Sequence, residues 1–243
     1  MNRLREQALV PHPFSHVSNI EHKSELHVVF HNTRSLHKHI EDLRSETHLL
    51  QADILYIFET WEDENDEIDH YKLPGFSIIH RNFSSESKHR EHCGTIVYAR
   101  QCFNDLMFLT EGKSENKIEL TIIDMSSKIK GLIIIGVYSN PKLSAKCLAR
   151  QMSNVVGELA EKHTHFLIGG DFNSDASEKL AEPLHQFCEN FGLRQIINHV
   201  TTDNKTKIDL IFTNIPNSAI SSFVLESWYS DHKPCWVSVA HNL

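Results

Sequence analysis

His165-Phe166-Leu167-Ile168-Gly169-Gly170-Asp171-Phe172-Asn173 reads as a short apolar strand that stops on two glycines and then presents an acid and an amide. The glycines permit a tight backbone path. In extended chain Asp171 and Asn173, two positions apart, point the same way. An acid can then orient or deprotonate a water while the amide donates a hydrogen bond to the same phosphate. The alternative is an Asx-turn that closes the strand, and the motif alone does not choose between them.

Working outward, Ser144–Lys162 is predicted helical, with Leu148, Met152, Val155, Val156 and Leu159 on one side. Before it, Leu132–Tyr138 reads as a strand whose weak alternation suits burial on both faces. After the motif come a helix over Ser177–Phe191, closed by Gly192, and strands at Ile208–Thr213, Phe223–Leu225 and Cys235–Val239. Toward the N-terminus the pattern is strand (Leu26–Phe30), helix (Ser35–Leu50, with Ser35 as N-cap) and strand (Ala52–Phe58). Further strands are expected at Phe76–His80, Gly94–Arg100 and Ile118–Ile123, and the acidic stretch Glu62–Asp69 is expected to be a solvated loop. Strands outnumber helices, which suggests an α/β chain of two sheets packed together with helices outside. A doubly wound nucleotide fold fits poorly, because neither GxGxxG nor GxxxxGK[ST] occurs. Residues 1–25 read as an N-terminal arm or linker and 26–243 as one domain.

A chain of 243 residues with 40% hydrophobic and 23% charged content is an ordinary globular protein. A net charge of −8 counts against a passive nucleic-acid coat, which would be basic. It does not count against an enzyme whose acids hold a divalent cation. The five cysteines are odd in number and form no CxxC pair, so neither a disulfide framework nor a zinc site is expected. A reducing, intracellular setting follows. The first residues lack the apolar core of a signal peptide, and no apolar run is long enough to span a bilayer. Most of the 18 histidines are expected on a neutral polar surface.

The chemistry lies in where polar residues interrupt this pattern. Asn32, Glu59, Tyr138, Asp171, Asn173, Asp209, Asp231 and His232 all sit at or just beyond an apolar strand, or in a short turn beside one. Strand ends that share a sheet edge converge in space, and oxygen ligands with one imidazole are what phosphoryl chemistry on Mg²⁺ needs. Asp209 begins Asp209-Leu210-Ile211-Phe212, and a carboxylate in a buried strand needs a partner, for which His232 is the choice. Glu59 ends Ile54-Leu55-Tyr56-Ile57-Phe58 and faces either a metal or a salt bridge.

The order of these motifs is more specific than any one of them. His31-Asn32, Phe58-Glu59-Thr60, Tyr138, Gly170-Asp171-Phe172-Asn173, Lys207-Ile208-Asp209-Leu210-Ile211-Phe212 and Ser230-Asp231-His232 together resemble the endonuclease/exonuclease/phosphatase superfamily, from about Leu26 to Val239. Within it the run Gly192-Leu193-Arg194-Gln195 through Thr201-Thr202 to Thr213-Asn214, and Asn32-Thr33-Arg34-Ser35-Leu36, look most like the endonucleases of non-LTR retrotransposons. An abasic-site endonuclease more often carries Asp where Arg34 stands. Other departures are His31 for the usual Trp, Phe58 for the usual Gln, and Ser139-Asn140-Pro141 after Tyr138.

The resemblance implies a four-layer α/β sandwich, two mixed β-sheets packed face to face and flanked by helices. It implies that Asn32 and Glu59 bind Mg²⁺, or Mn²⁺ in its place, with Asp231 beside the metal. Tyr138 would contact the phosphate or leaving group, Asp171 with Asn173 would activate water, and Asp209 would orient His232 on the scissile phosphate. The activity implied is nicking of double-stranded DNA with a 3′-hydroxyl product, for a retrotransposon whose parent protein carries a reverse transcriptase, in the nucleus. Arg34, Lys88, Arg90, Thr202, Lys205 and Lys207 are the candidate DNA contacts. A phosphatase or phosphodiesterase for small-molecule or lipid phosphates, and an inactive DNA-binding module, are the alternatives.

Overall fold

In the computed structural model the described residues are 24–63, 65–82, 93–103, 106–113 and 118–243. The arm reading for residues 1–25 thus falls almost wholly outside them, as do Lys88 and Arg90. The strands are β1 (Glu25–Asn32), β2 (Ile54–Phe58), β3 (Phe76–Asn82), β4 (Thr95–Arg100), β5 (Met107–Lys113), β6 (Ile118–Asp124), β7 (Leu132–Ser139), β8 (His165–Asp171), β9 (Arg194–Gln195), β10 (Asp209–Thr213), β11 (Ile220–Val224) and β12 (Cys235–Ala240). The helices are α1 (Leu36–Ser45), α2 (Ala145–Leu159) and α3 (Glu182–Asn190), with single 3₁₀ turns between some elements.

Two six-stranded sheets result, ordered β11-β12-β1-β2-β4-β3 and β5-β6-β7-β8-β10-β9. Each is mixed, and each has one parallel pair near its centre: β1 with β2, and β7 with β8. A helix joins each pair, α1 in the first sheet and α2 in the second, as a parallel crossover requires.

Side-chain alternation builds the layers. Val28, Phe30, Ile54, Tyr56 and Phe58 of the first sheet face Leu132, Ile134, Leu167 and Ile211 of the second across a shared core. The opposite residues, Val29, Leu55 and Ile57, pack on Leu36, Ile40 and Leu43 of α1. Ile133, Ile135, Val137 and Ile168 pack on Leu148, Met152 and Val156 of α2 and Leu184 and Phe187 of α3. The order of layers is therefore helix, sheet, sheet, helices: the expected four-layer sandwich.

The two glycines of β8 have different tasks. A Cβ on Gly169 would lie 2.6 Å from the Phe30 ring, so its bare backbone makes room for an aromatic of the facing sheet. Gly170 has φ +141° and a Cβ there would lie 2.0 Å from the Val137 carbonyl oxygen. The strand runs on through both to Asp171 instead of stopping at Ile168.

Other boundaries also shift. Ser35 precedes α1 at φ 96° and its hydroxyl makes no cap bond; its carbonyl accepts from the amides of Lys38 and His39 instead. The helix predicted from Ser177 starts only at Glu182, with proline in the first turn, where its missing N–H costs nothing. Glu62 is not solvated: its side chain is buried and ion-paired with Arg81, whose guanidinium also donates to the Asp66 carbonyl at 3.0 Å. None of the five cysteines forms a disulfide. Among the described residues no helix is long and apolar enough to cross a membrane.

Candidate active site

Both parallel pairs end at one edge of the sandwich. Asn32 closes β1 and pairs in register with Phe58, so Glu59 follows directly beside it. Tyr138 near the end of β7 pairs with Asp171 at the end of β8. Antiparallel β10 begins at this same edge, with Asp209 opposite Asp171. His232 precedes β12, which runs antiparallel to β1. Six predicted residues from separate stretches are thereby delivered to one place, at the carboxyl ends of parallel strands where α/β sheets bind ligands.

The side chains form one buried network. The Asn32 amide nitrogen donates to Glu59 Oε1 and to Asp171 Oδ2, both at 2.9 Å. Glu59 also accepts from Tyr138 OH at 3.3 Å and from Trp61 Nε1 at 3.2 Å. His232 Nδ1 lies 3.1 and 3.0 Å from the two Asp209 oxygens, and 4.0 Å from Asp171 Oδ2. Asn32, Glu59, Asp171, Asp209 and His232 are all buried.

Burial in this acidic setting moves the proton affinities. Burial, reinforced by the charge of Asp209, raises the Asp171 pKa above the usual carboxylate range. For His232 burial pulls downward, but the charge and hydrogen bond of Asp209, with Asp171 behind, raise it to about 9. The imidazole therefore carries its proton at neutral pH, with Nδ1 on Asp209 and Nε2 at the other end of the ring. Burial and the neighbouring Glu59 and Asp171 charges raise Tyr138, which stays a neutral phenol and a donor.

Three predicted residues are engaged with other parts of the chain, Asn173 in the Asx-turn that its motif allowed. The chain leaves extended conformation after Asp171, and Asn173 sits at φ 46°. Its amide N–H donates to Asp171 Oδ1 at 2.9 Å, which is the Asx-turn, while its side chain donates to the Ser139 carbonyl at 2.7 Å. Asn173 thus fixes the Asp171 carboxylate and ties β8 to β7. Asp231 makes a bidentate pair with Arg34, both contacts at 3.0 Å. Thr202 is buried, and its hydroxyl is engaged with Thr206 Oγ1 at 2.6 Å. Of the remaining candidate contacts, Lys205 is exposed and Lys207 half-buried.

One residue was missed. Glu119 of β6 accepts from the Gly94 amide at 3.0 Å and from Thr95 Oγ1 at 2.8 Å, so it bridges the two sheets. The carbonyls of Cys93 and Gly94 in turn accept from the amides of Trp61 and Thr60. Glu119 thereby anchors the turn that carries Glu59. Burial first, with the charge of Glu59 adding to it, raises its pKa.

Backbone strain gathers at the same edge. Among the described non-glycine residues, positive φ occurs at Arg34, Ser35, Glu59, Trp61, Asn173 and Lys205. All lie in loops around the network, which is where over-determined surroundings hold costly conformations.

The donor set fits a hard divalent cation. Glu59 and Asp171 offer buried carboxylate oxygens of the kind Mg²⁺ and Mn²⁺ prefer, whereas Asn32 Oδ1 accepts from the Arg34 amide and both Asp231 oxygens are held by the Arg34 guanidinium, so these two would reach a cation by exchanging those partners. The Asn32 amide nitrogen supplies partial positive charge between two buried carboxylates, which marks the spot where a cation is favourable. Asp171, Asp209 and His232 also bring ligand-type atoms within 4.8 Å of one another. There, however, Nδ1 of His232 is engaged by Asp209, so this trio is organised around a proton.

Residues 132–236 match the family model described as endonuclease-reverse transcriptase. No curated protein sequence matches the chain. Among solved structures, the endonuclease domain of TRAS1, a telomere-specific non-LTR retrotransposon, superposes with a TM-score of 0.63 at 16% identity, covering 90% of this chain and 100% of that one. An AP endonuclease from Leishmania major gives 0.64 at 15% identity, covering 90% and 88%. A 3′ phosphatase from Neisseria bound to product DNA hairpin gives 0.61 at 17% identity, covering 88% and 99%. The chain thus shares the fold of these three enzymes over about nine tenths of its length, and its residues 132–236 carry the sequence pattern of the endonuclease-reverse transcriptase family.

Proposed function

We propose that this protein is a metal-dependent phosphodiesterase that nicks double-stranded DNA and leaves a 3′-hydroxyl, serving target-site cleavage for a retrotransposon. The observation that carries the reading is one buried cluster, in which Asn32 bonds Glu59 and Asp171, Asp209 bonds His232, and His232 Nδ1 lies 4.0 Å from Asp171 Oδ2. The endonuclease-reverse transcriptase family match supports DNA as the substrate and a reverse transcriptase as partner in a longer parent protein. The nucleus is then where it acts.

Glu59 and Asn32 would hold Mg²⁺, with Asp231 alongside. When bound, the cation supplies charge stabilisation at the phosphate and the departing oxygen. The chain's own residues do the rest. Asp171, its orientation fixed by Asn32 and the Asn173 amide, positions the attacking water and takes its proton. Its raised pKa makes it a better base than an ordinary aspartate. His232, held by Asp209, offers a positive N–H to a phosphate oxygen as charge develops. Tyr138 is a neutral hydrogen-bond donor beside Glu59. Arg34, Lys205 and Lys207, with Lys88 and Arg90, would meet flanking phosphates.

The test is Mg²⁺-dependent nicking of supercoiled plasmid by wild type, Asp171→Ala and His232→Ala. A panel of abasic oligonucleotide, phosphoinositide and a generic phosphodiester runs alongside. Loss of one acid–base group should lower the rate roughly 10²–10⁴-fold. Full activity in both variants refutes the assignment, and turnover of phosphoinositide in preference to DNA transfers it to a lipid phosphatase.

A further inference from the structure

We infer that Trp228 is a stacking platform for a nucleobase adjoining the phosphate addressed by Asp171 and His232; this rests on the phosphodiesterase reading above. Four large apolar side chains are exposed among the described residues: Trp228 at 66%, Ile68 at 46%, Phe223 at 41% and Val200 at 40%. Trp228 is the most exposed of them, and it belongs to the loop that delivers Asp231 and His232.

That loop is stapled. Lys233 Nζ pairs with Glu226 Oε1 at 2.8 Å, and the Leu225 amide donates to the Pro234 carbonyl at 2.9 Å, closing its base. The Ser230 amide donates to Ser227 Oγ at 3.2 Å, across the bend that carries Trp228. Ser230 Oγ donates to the Asn32 carbonyl at 2.8 Å, tying the loop to the end of β1. Behind Trp228, the Tyr229 ring meets it edge-on at 5.4 Å. Tyr229 is packed in turn against the rings of His31 at 5.5 Å and His39 at 5.6 Å, and its hydroxyl lies 3.2 Å from His31 Nε2. The loop that carries the indole is held in place by these contacts, which lowers the ordering cost of binding a flat ligand.

Cations continue the rim. Arg34 is gripped by Asp231, three residues along the same loop. The Asp231 carbonyl accepts from the Asp203 amide, and the Lys205 amide donates to the Thr202 carbonyl, which joins the exposed Lys205 to the same frame. An exposed indole on the loop that also holds Arg34, with Lys205 tied to the same frame, is the chemistry that meets a base displaced from the duplex stack and its neighbouring phosphates.

The experiment compares wild type, Trp228→Ala and Trp228→Phe on a duplex oligonucleotide with one cut site and on the same duplex with single abasic replacements around it. Fluorescence titrations with single-stranded oligothymidylate in EDTA accompany it. Base–aromatic stacking of the usual strength predicts that Trp228→Ala raises KM about tenfold, with kcat changed less. Trp228→Phe should restore most of the affinity. One abasic replacement should weaken wild type and leave Trp228→Ala unaffected, and oligothymidylate should quench emission in wild type more than in Trp228→Phe. If wild type cuts DNA but Trp228→Ala matches it in KM and the quench does not depend on Trp228, the platform is wrong while the nuclease stands. If wild type cuts no DNA yet shows the Trp228-dependent quench, the nuclease is wrong while the platform stands.

Discussion

Asp209 holds Nδ1 of His232 between its two carboxylate oxygens, at 3.1 and 3.0 Å, inside the sandwich edge. Burial alone would strip the proton from His232, and it is Asp209 that raises the imidazole to about 9. In Asp209→Asn the pull of burial is answered only by the Asp171 and Asp231 charges, so the His232 pKa should fall. NMR titration of the histidine ring protons reads this directly. Nicking at pH 7.5 should drop roughly 10²–10⁴-fold in the same variant. An unmoved His232 titration would remove Asp209 from the orienting role.

Metal should bind the folded chain and stabilise it. A cation that binds only the native state adds about 2.7 kcal/mol at a hundredfold excess over its Kd. Urea unfolding of wild type in EDTA and in saturating Mg²⁺ should differ by that order. Glu59→Gln keeps the shape but removes the charge, and should erase most of the difference. Equal Mg²⁺ stabilisation of both proteins would move the cation away from Glu59.

Glu119 is expected to act through Glu59. Its two hydrogen bonds fix Gly94 and Thr95, and the 93–94 carbonyls fix the Glu59 turn. Residues that orient a metal ligand usually contribute 10–100-fold in metal affinity. Glu119→Ala should therefore raise the Mg²⁺ concentration for half-maximal nicking by about that factor. Glu119→Gln, which still accepts from the Thr95 hydroxyl, should recover part of it. A merely structural role predicts lower stability with an unchanged Mg²⁺ requirement.

Glu119 also marks how far a sequence reads. Strands β1, β2, β7 and β8 were legible because runs such as Leu132–Val137 are apolar through and through, and the polar residues that end them, Asn32, Glu59, Tyr138 and Asp171, stand out. Glu119 lies between Ile118 and Leu120, where alternation makes it look like a solvent-facing residue. Only the register opposite Tyr138 and the facing sheet turn it inward and leave it half-buried. β5 and the two-residue β9 were missed, the one for its mixed Met107–Lys113 composition and the other for its length. The sequence left Asn173 open between a phosphate contact and the Asx-turn, because the positive φ that goes with the turn has no local signature at a non-glycine residue. The Asp209–His232 pair was legible, since a carboxylate opening a buried strand demands a partner.

Arg34 and Asp231 are partly exposed, so their pair should contribute little to stability, about 1 kcal/mol or less. Its importance lies in holding a cation beside the site. Arg34→Ala should leave the urea midpoint nearly unchanged while raising KM for DNA and reducing the salt dependence of binding by about one phosphate contact. An identical salt slope in wild type and variant would confine Arg34 to a structural partnership with Asp231.

Glu62 and Arg81 make the opposite case, because the Glu62 side chain is wholly buried. Burial raises the Glu62 pKa to about 7, against the downward pull of Arg81 and from an unfolded value near 4.5. A folded pKa above the unfolded one means that the native state binds the proton more tightly. The stabilisation linked to Glu62 is thus complete below pH 4.5 and is lost as pH rises through 7. Glu62→Gln keeps a neutral amide there at every pH, so its stability should change less than wild type between pH 5 and 7.5. Removing the partner instead, as Arg81→Met, leaves a buried carboxylate uncompensated, a loss of roughly 3–5 kcal/mol when it is charged. That loss should be smaller at pH 5, where Glu62 can take up a proton, than at pH 7.5. Chemical denaturation of the three proteins at the two pH values decides the matter. If the wild type and Glu62→Gln curves stay parallel across this range, Glu62 does not titrate in the fold.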